Sequence, residues 1–289
     1  MPVKARLNFV ALRPIVSLVL WMLVGLVLAG GIFSFLGPRI GVNLLDKDSL
    51  LNGGFWAVAL MVGIQQFLLF LLPGWTVLYV YPALRPDGIL GARVDGRRLG
   101  LVVVLFLVSL PLVSYLNWLN LQFPLADQWQ ALEEEANRLI ATLLKGGNVP
   151  LLVLLIGLLP ALGEEMVFRG VIQRSLVHFT GRPHVAVWLA AAIFSGIHMQ
   201  FAGFLPRLFL GAALGYAYHY SGALWVSVLL HFFFNGVQAV YMAMHPDMID
   251  QIGAASGPDR PPALTVLGAA AVFILVLIRL EKHTGQESA

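Results

Sequence analysis

Pro150-LLVLLIGLLPALG-Glu164-Glu165-MVF-Arg169-Gly170 is the stretch that decides the architecture. Thirteen uncharged residues separate Pro150 from Glu164, and most are leucine, isoleucine or valine. A membrane-spanning helix needs about 20 such residues, so the run reads as a span whose final turns carry two acids and a base. An acid near the centre of a membrane helix costs at least about 2.5–3.5 kcal/mol. A chain that places Glu164 and Glu165 side by side there has a use for them.

The rest of the composition agrees with a bilayer. The 289 residues are 59% hydrophobic and 11% charged, with a mean hydropathy of +0.83; soluble domains carry about 25% charged residues. Lys and Arg number 18 against 15 Asp and Glu. With no basic stripe interleaved with aromatics, this small excess reports loop charges and argues against a nucleic-acid partner. The sequence has no cysteine, which excludes disulfides, thiolate metal sites and a thiol nucleophile.

Eight apolar segments are predicted to span, near 15–36, 54–80, 99–122, 150–174, 184–203, 204–220, 222–244 and 263–280. The fourth to seventh are crowded, and two of them could be short, tilted or re-entrant. The first is longer than the apolar core of a signal peptide, so it reads as a retained span. The fold class expected is therefore all-α: one polytopic membrane bundle over 1–289, with no soluble appendage. Eight spans with the N-terminus inside put 12 of the 18 basic residues on the cytoplasmic side, Lys4, Arg6, Arg85, Arg97 and Arg98 among them, and both termini with them. The segment Leu125–Leu144 differs. Its apolar residues recur every three or four positions opposite Glu133, Glu134, Glu135 and Arg138. It reads as an amphipathic helix at the outer membrane surface, serving either as a covering connector or as a lid.

Within the deciding stretch, adjacent residues on a helix point about 100° apart, so Glu164 and Glu165 cannot share one direction. Arg169 stands one turn after Glu165 on the same face, the spacing of an ion pair. That leaves Glu164 free to act as a base; the plainer reading solvates both acids at the interface. His198, in AAAIFSGIHMQ, follows small residues that permit close helix approach. His231 and Asn235, in HFFFNG, are four apart and project from one face. They are either oxyanion donors or a polar packing pair, with Phe232, Phe233 and Phe234 covering the lipid side. His178, His184, His219, His245 and His283 fall in loops or belts and are assigned no chemistry. The chain lacks the Gly-Xaa-Ser-Xaa-Gly elbow, the HEXXH pair and the phosphate loop.

The three motifs EEMVFR (164–169), FSGIH (194–198) and HFFFN (231–235) resemble EExxxR, FxxxH and HxxxN/D. These mark the CPBP or Abi family, which holds the CAAX prenyl endoprotease and bacteriocin-processing proteins. The resemblance covers about 150–244 and implies a catalytic core of four helices. It implies an intramembrane endopeptidase in which Glu164 and His198 activate water, His231 and Asn235 hold the oxyanion, and Glu165 and Arg169 support. The family carries two descriptions, glutamate protease and metalloprotease. Glu164, His198 and His231 could form a zinc set with an open water position. If His231 binds the oxyanion, however, too few ligands remain, and metal-free chemistry is favoured.

The implied partner is a membrane-anchored or hydrophobic peptide or protein. A chain this compact reads as bacterial, in the inner membrane, where a bacteriocin or another membrane-associated peptide suits as well as a prenylated one. The competing readings are a non-catalytic immunity or scaffold protein of the same fold, and a transporter with a proton relay, which would show paired broken helices and internal repeats. One expectation strains. Counted from Pro150 and from His184, Glu164 and His198 fall at different depths unless a tilt, a kink at Pro160 or an offset helix brings them together.

Overall fold

The computed structural model describes residues 9–43, 49–84, 92–245 and 259–287, with side chains to Lys282 in the last segment. All regular elements among these residues are helical. Among the described residues, six helices are long and apolar enough to cross a membrane: α1 (Phe9–Ile40), α2 (Gly54–Val80), α3 (Gly96–Asn120), α5 (Val149–Thr180), α8 (Leu224–Met244) and α9, whose apolar span is Ala263–Lys282. Between them lie α4 (Asp127–Lys145), α6 (Pro183–Gly196) and α7 (Phe204–Ser221). The chain is an integral, multi-pass, all-α membrane bundle.

The predicted spans at 184–203 and 204–220 are where the count narrows. α6 has 14 residues, a rise of about 21 Å. α7 has 18, among them Pro206, Arg207, His219 and three tyrosines, and lies mostly inside the protein. Of the charges used to orient the chain, Lys4, Arg6, Lys47 and Arg85 lie outside the described residues.

Local chemistry sets the helix ends. Asp95 caps α3 by accepting from the backbone N–H groups of Arg97 and Arg98 at 3.0 and 3.1 Å. Asn148 caps α5 by accepting from Leu151 N–H at 3.1 Å, with a proline in the first turn. α5 and α7 both stop at a left-handed glycine, Gly181 (φ 65°) and Gly222 (φ 68°). The chain then turns sharply into α6 and α8, which makes two antiparallel hairpins, α5–α6 and α7–α8.

The first hairpin resolves the depth problem. Glu164 lies 17 residues before Gly181 and His198 lies 17 after it, so both sit about 25 Å from the same turn. Pro150 was the wrong origin, because α5 is 32 residues long and its start is not the level at which α6 ends.

α5 is the central helix: most of its span lies inside the protein, whereas the other five spans face outward over most of theirs. Those outward faces are apolar, with Val16, Leu20, Leu23 and Val27 on α1 and Leu264, Leu267 and Leu275 on α9 exposed, as a lipid-facing surface requires. Glycines let the neighbours approach α5 closely. A Cβ on Gly163 would stand 2.9 Å from Phe70 Cβ and 3.1 Å from Leu71 N of α2. One on Gly157 would stand 3.3 Å from Gly236 Cα of α8. Two π-helical stretches, Val153–Leu158 and Met166–Gln173, flank the acids on α5. Such turns rotate the residues that follow and recur at functional sites.

The seam between α2 and α5 gives a direct test. Gly163→Ala forces helix backbones apart and should destabilise the protein by about 1–3 kcal/mol, read as a lower thermal midpoint in detergent. Gly30→Ala meets nothing within 4 Å and should leave the midpoint unchanged or raise it.

Candidate active site

Glu165 and Arg169 fall one turn apart on α5, and the spacing read from sequence is realised: Arg169 Nη1 donates to Glu165 Oε1 at 2.9 Å. The same oxygen accepts from His231 Nδ1 at 2.8 Å, which ties α8 to α5. Arg169 Nη2 donates to the carbonyl of Gly211 on α7 at 2.8 Å, and one turn later Gln173 Nε2 donates to that of Gly215 at 3.0 Å. Two side chains four apart on α5 thus meet two glycine carbonyls four apart on α7. A Cβ on Gly215 would stand 2.9 Å from Gln173 Oε1, so glycine there leaves room for the contact.

Exposure separates the two readings of the acid pair. Glu164 is 5% exposed, Glu165 0%, Arg169 1% and His231 2%. The acids are therefore inside the bundle and not solvated at an interface. Glu165 takes the arginine and His231 Nδ1. Glu164 has no basic nitrogen, among the described residues, nearer than His231 Nε2, which lies 4.0 Å from its Oε2. That gap is too long for a hydrogen bond and suited to a bridging water.

His198 follows α6 in a turn and is half-buried. Its Nδ1 lies 2.8 Å from Phe194 O. Donation from Nδ1–H leaves the Nε2 lone pair free to accept a proton. Phe194 is the common wall of the site. Its ring lies 5.2 Å from His198, 6.1 Å from His231 and 5.2 Å from the Arg169 guanidinium.

Asn235 faces α5 one turn beyond His231. Its Nδ2 donates to Ile156 O at 3.3 Å. Pro160 lacks the N–H that would normally reach that carbonyl, so one amide proton of Asn235 fills in for it. The structure therefore gathers Glu164, Glu165, Arg169 and His231, links His198 through Phe194, and brings Asn235 to the same helix. The phenylalanine reading needs correction. Phe233 alone is exposed; Phe232 packs into the core beside Gly157, and Phe234 packs edge-on to Phe106 at 6.4 Å.

The loop after His198 is held by residues other than the six that the motifs single out. Asn120, the last residue of α3, donates to Phe201 O and accepts from Leu205 N–H, both at 2.8 Å. Ser195 donates to Phe204 O at 2.7 Å, and Arg207 reaches Gln200 O. The amphipathic α4 lies over this loop. Trp129 meets Phe201 edge-on at 4.5 Å, and Glu133 accepts from Ala202 N–H at 3.3 Å. The sequence signal was a buried-type amide, Asn120, at the end of an apolar run.

A cavity of about 610 Å³ lined by Phe106, Leu110, Phe234 and Gln238 lies between α3 and α8. Glu164, Glu165, His198, His231 and Asn235 are not among the residues that line it. The described residues contain no group of three or more His, Cys, Asp and Glu arranged to hold a metal ion. Glu164, His198 and His231 are thus not gathered as one such group.

A buried pair of acids, one tied to arginine and one left beside histidine, thus lies inside the membrane bundle. The comparisons agree. Residues 146–237 match the family described as Type II CAAX prenyl endopeptidase Rce1-like. This segment is therefore similar to that family of proteases, and the match takes in all three motifs. The uncharacterized protein YpbD of Bacillus subtilis (strain 168) is 31% identical over 91 residues, which is 30% of this chain and 43% of YpbD. The chain thus matches less than half of that relative's length. No solved structure matches.

Removal of the arginine tests the core of the site. Arg169→Met should cost about 3–5 kcal/mol, because it strands a buried carboxylate. Arg169→Lys should recover little, since one ammonium cannot reach both Glu165 and Gly211 in the guanidinium geometry. Thermal unfolding in detergent reads both.

Proposed function

We propose that this protein is an intramembrane endopeptidase acting on a membrane-anchored or hydrophobic peptide or protein. The observation that carries the reading is the division of labour between neighbours. Glu165 is consumed by Arg169 and His231, while Glu164 is buried with a 4.0 Å gap to His231 Nε2.

A water held by Glu164 and His198 Nε2 attacks the peptide carbonyl. Glu164 takes its proton as the O–C bond forms. The carbonyl oxygen becomes an oxyanion, which His231 Nε2–H and the remaining amide proton of Asn235 stabilise. Because Nδ1 of His231 already faces Glu165, its Nε2 donates only when both ring nitrogens are protonated. The C–N bond then breaks, and the proton held by Glu164 passes to the leaving amine. Glu165 and Arg169 act by fixing His231. The reading is metal-free, because His231 serves the oxyanion and leaves only Glu164 and His198 beside the water, too few for a zinc site. The seat of the chemistry in the inner membrane of a bacterium, with both termini cytoplasmic, is part of the same proposal.

The test is cleavage of fluorogenic hydrophobic peptides, prenylated and plain, by the purified protein in detergent. Glu164→Gln should reduce the rate at least about 100-fold without lowering the thermal midpoint, and a chelator should leave the rate unchanged. Retained cleavage in the variant would remove Glu164 from the mechanism. Loss with chelator would contradict the metal-free chemistry. A protein that cleaves no peptide would favour the immunity or scaffold reading.

A further inference from the structure

The chemistry above depends on where His198 Nε2 points, and the backbone around His198 sets that direction. α6 makes its last i, i−4 backbone bond from Ile197 N–H to Ile193 O at 3.0 Å. The next carbonyl, Phe194 O, meets the His198 ring instead, with Nδ1 at 2.8 Å. The ring can take that carbonyl because the helix ends there. Met199 ends it. Its φ is 55°, in the left-handed region, and every other positive-φ position among the described residues is a glycine. A side chain is disfavoured in that conformation. The Met199 side chain is 47% exposed, so its own packing does not demand the geometry. Such a backbone persists only where its surroundings over-determine it.

The surroundings include Asn120. α7 begins at Phe204 after Gly203, which has no side chain to cap it, so the N–H groups of its first turn need partners from elsewhere. Asn120 supplies the missing cap from α3. Its Oδ1 accepts from Leu205 N–H, and its Nδ2 donates to Phe201 O, both at 2.8 Å. One carboxamide thus serves a donor and an acceptor of the same loop. An apolar side chain can do neither. Asn120 is buried, so water cannot replace it there.

The other ties on the loop are of a different kind. Ser195 to Phe204 O and Arg207 to Gln200 O lie within α6, α7 and the loop between them, and they move with it. The bond from Ala202 N–H to Glu133 of α4 is longer, at 3.3 Å. Asn120 is the short, two-ended link to a separate helix. Resting on the protease reading above, we propose that Asn120 is a positioning residue: by capping α7 and holding Phe201 O it keeps Met199 left-handed, which keeps His198 Nδ1 on Phe194 O and turns Nε2 to the water. Asn120 touches no reacting atom and acts through His198.

The experiment compares Asn120→Leu, Met199→Val and the double variant Asn120→Leu/Met199→Gly with the unaltered protein, all well below their thermal midpoints. Asn117→Leu, one turn earlier on α3 and facing the cavity beside α8, is the control. Asn120→Leu should lower kcat about 10- to 100-fold, as a small displacement of a catalytic group does, while KM moves less than about twofold. Met199→Val should lower kcat likewise with Asn120 intact, since a β-branched residue resists a positive φ. Glycine adopts that φ freely, so Met199→Gly should restore part of the kcat lost in Asn120→Leu. Asn117→Leu should leave kcat and KM unchanged. An unchanged kcat in Asn120→Leu or in Met199→Val, or no recovery in the double variant, would overturn the proposal. Nitrogen-15 spectra of labelled histidine, with His198 assigned by its loss in His198→Gln, give a readout that does not need turnover. At about pH 8, where an ordinary imidazole is neutral, His198 should show a protonated Nδ1 and a bare Nε2, and Asn120→Leu should mix the two tautomers. A single unchanged tautomer in Asn120→Leu would overturn the proposal. If the unaltered protein cleaves no peptide, the protease reading fails, and the imidazole spectrum alone supports or overturns the control of His198 by Asn120.

Discussion

The fold is organised around one buried string, Gly211 O to Arg169 to Glu165 to His231. An isolated charge in such an interior is prohibitive. A charge whose lone pairs and protons are shared among three helices is tolerable, provided each partner arrives within hydrogen-bonding distance. That requirement explains features which otherwise look unrelated. Glycines stand on α7 where arginine and glutamine reach its backbone, and on α5 where α2 and α8 press closest. The small residues of the sequence are the spacing rules of this string.

The same string sorts the chemistry. Two adjacent acids would be equivalent in a loop. On this helix the 100° offset hands one to arginine and leaves the other facing a histidine. By occupying His231 Nδ1, Glu165 decides what the opposite nitrogen can do, as a second carboxylate does for a metal-bound or catalytic imidazole. His198 is set by a different device, the carbonyl of Phe194 one turn back, with its loop pinned by Asn120 and overlaid by α4. Asn235 serves the backbone at a proline, so the residue that repairs the helix also lies along the acid-bearing face of α5. A lipid-buried site cannot rely on solvent to satisfy its polar atoms; Glu165 Oε1, Arg169 and His231 Nδ1 have protein partners, while Glu165 Oε2 and Gln173 Oε1 have none among the described residues.

Much of this was legible in the residues. The apolar runs, the i, i+4 pair of Glu165 and Arg169, the pairing of His231 with Asn235 on one face, and the amphipathic register of 125–144 all follow from helix periodicity. The three motifs led to the family. What sequence obscured has physical reasons. Hydropathy does not give a helix's length or its burial, and the segments 184–203 and 204–220 fold as α6, of 14 residues, and the mostly buried α7. The depth of His198 relative to Glu164 was in the sequence all along, as equal distances from Gly181, but it becomes visible only once α5 is known to run on to Thr180. The three phenylalanines of 232–234 look alike in sequence and differ in fate, because only one points away from both α5 and α3. Asn120 was passed over because it ends an apolar run that also carries Ser109, Ser114 and Asn117. Only tertiary packing reveals that it clamps the loop of His198.

The account stands or falls on the string acting as a unit, and a double-mutant cycle between Glu165 and Arg169 measures that directly. Glu165→Gln, Arg169→Met and the double variant would be compared for unfolding free energy in detergent. The account gives a coupling energy of about 1–3 kcal/mol, with the double variant more stable than the sum of single losses allows, because removing both partners leaves no stranded charge. Additive losses, within about 0.5 kcal/mol, would mean that the two residues do not depend on each other, and the central place given to the string would be contradicted.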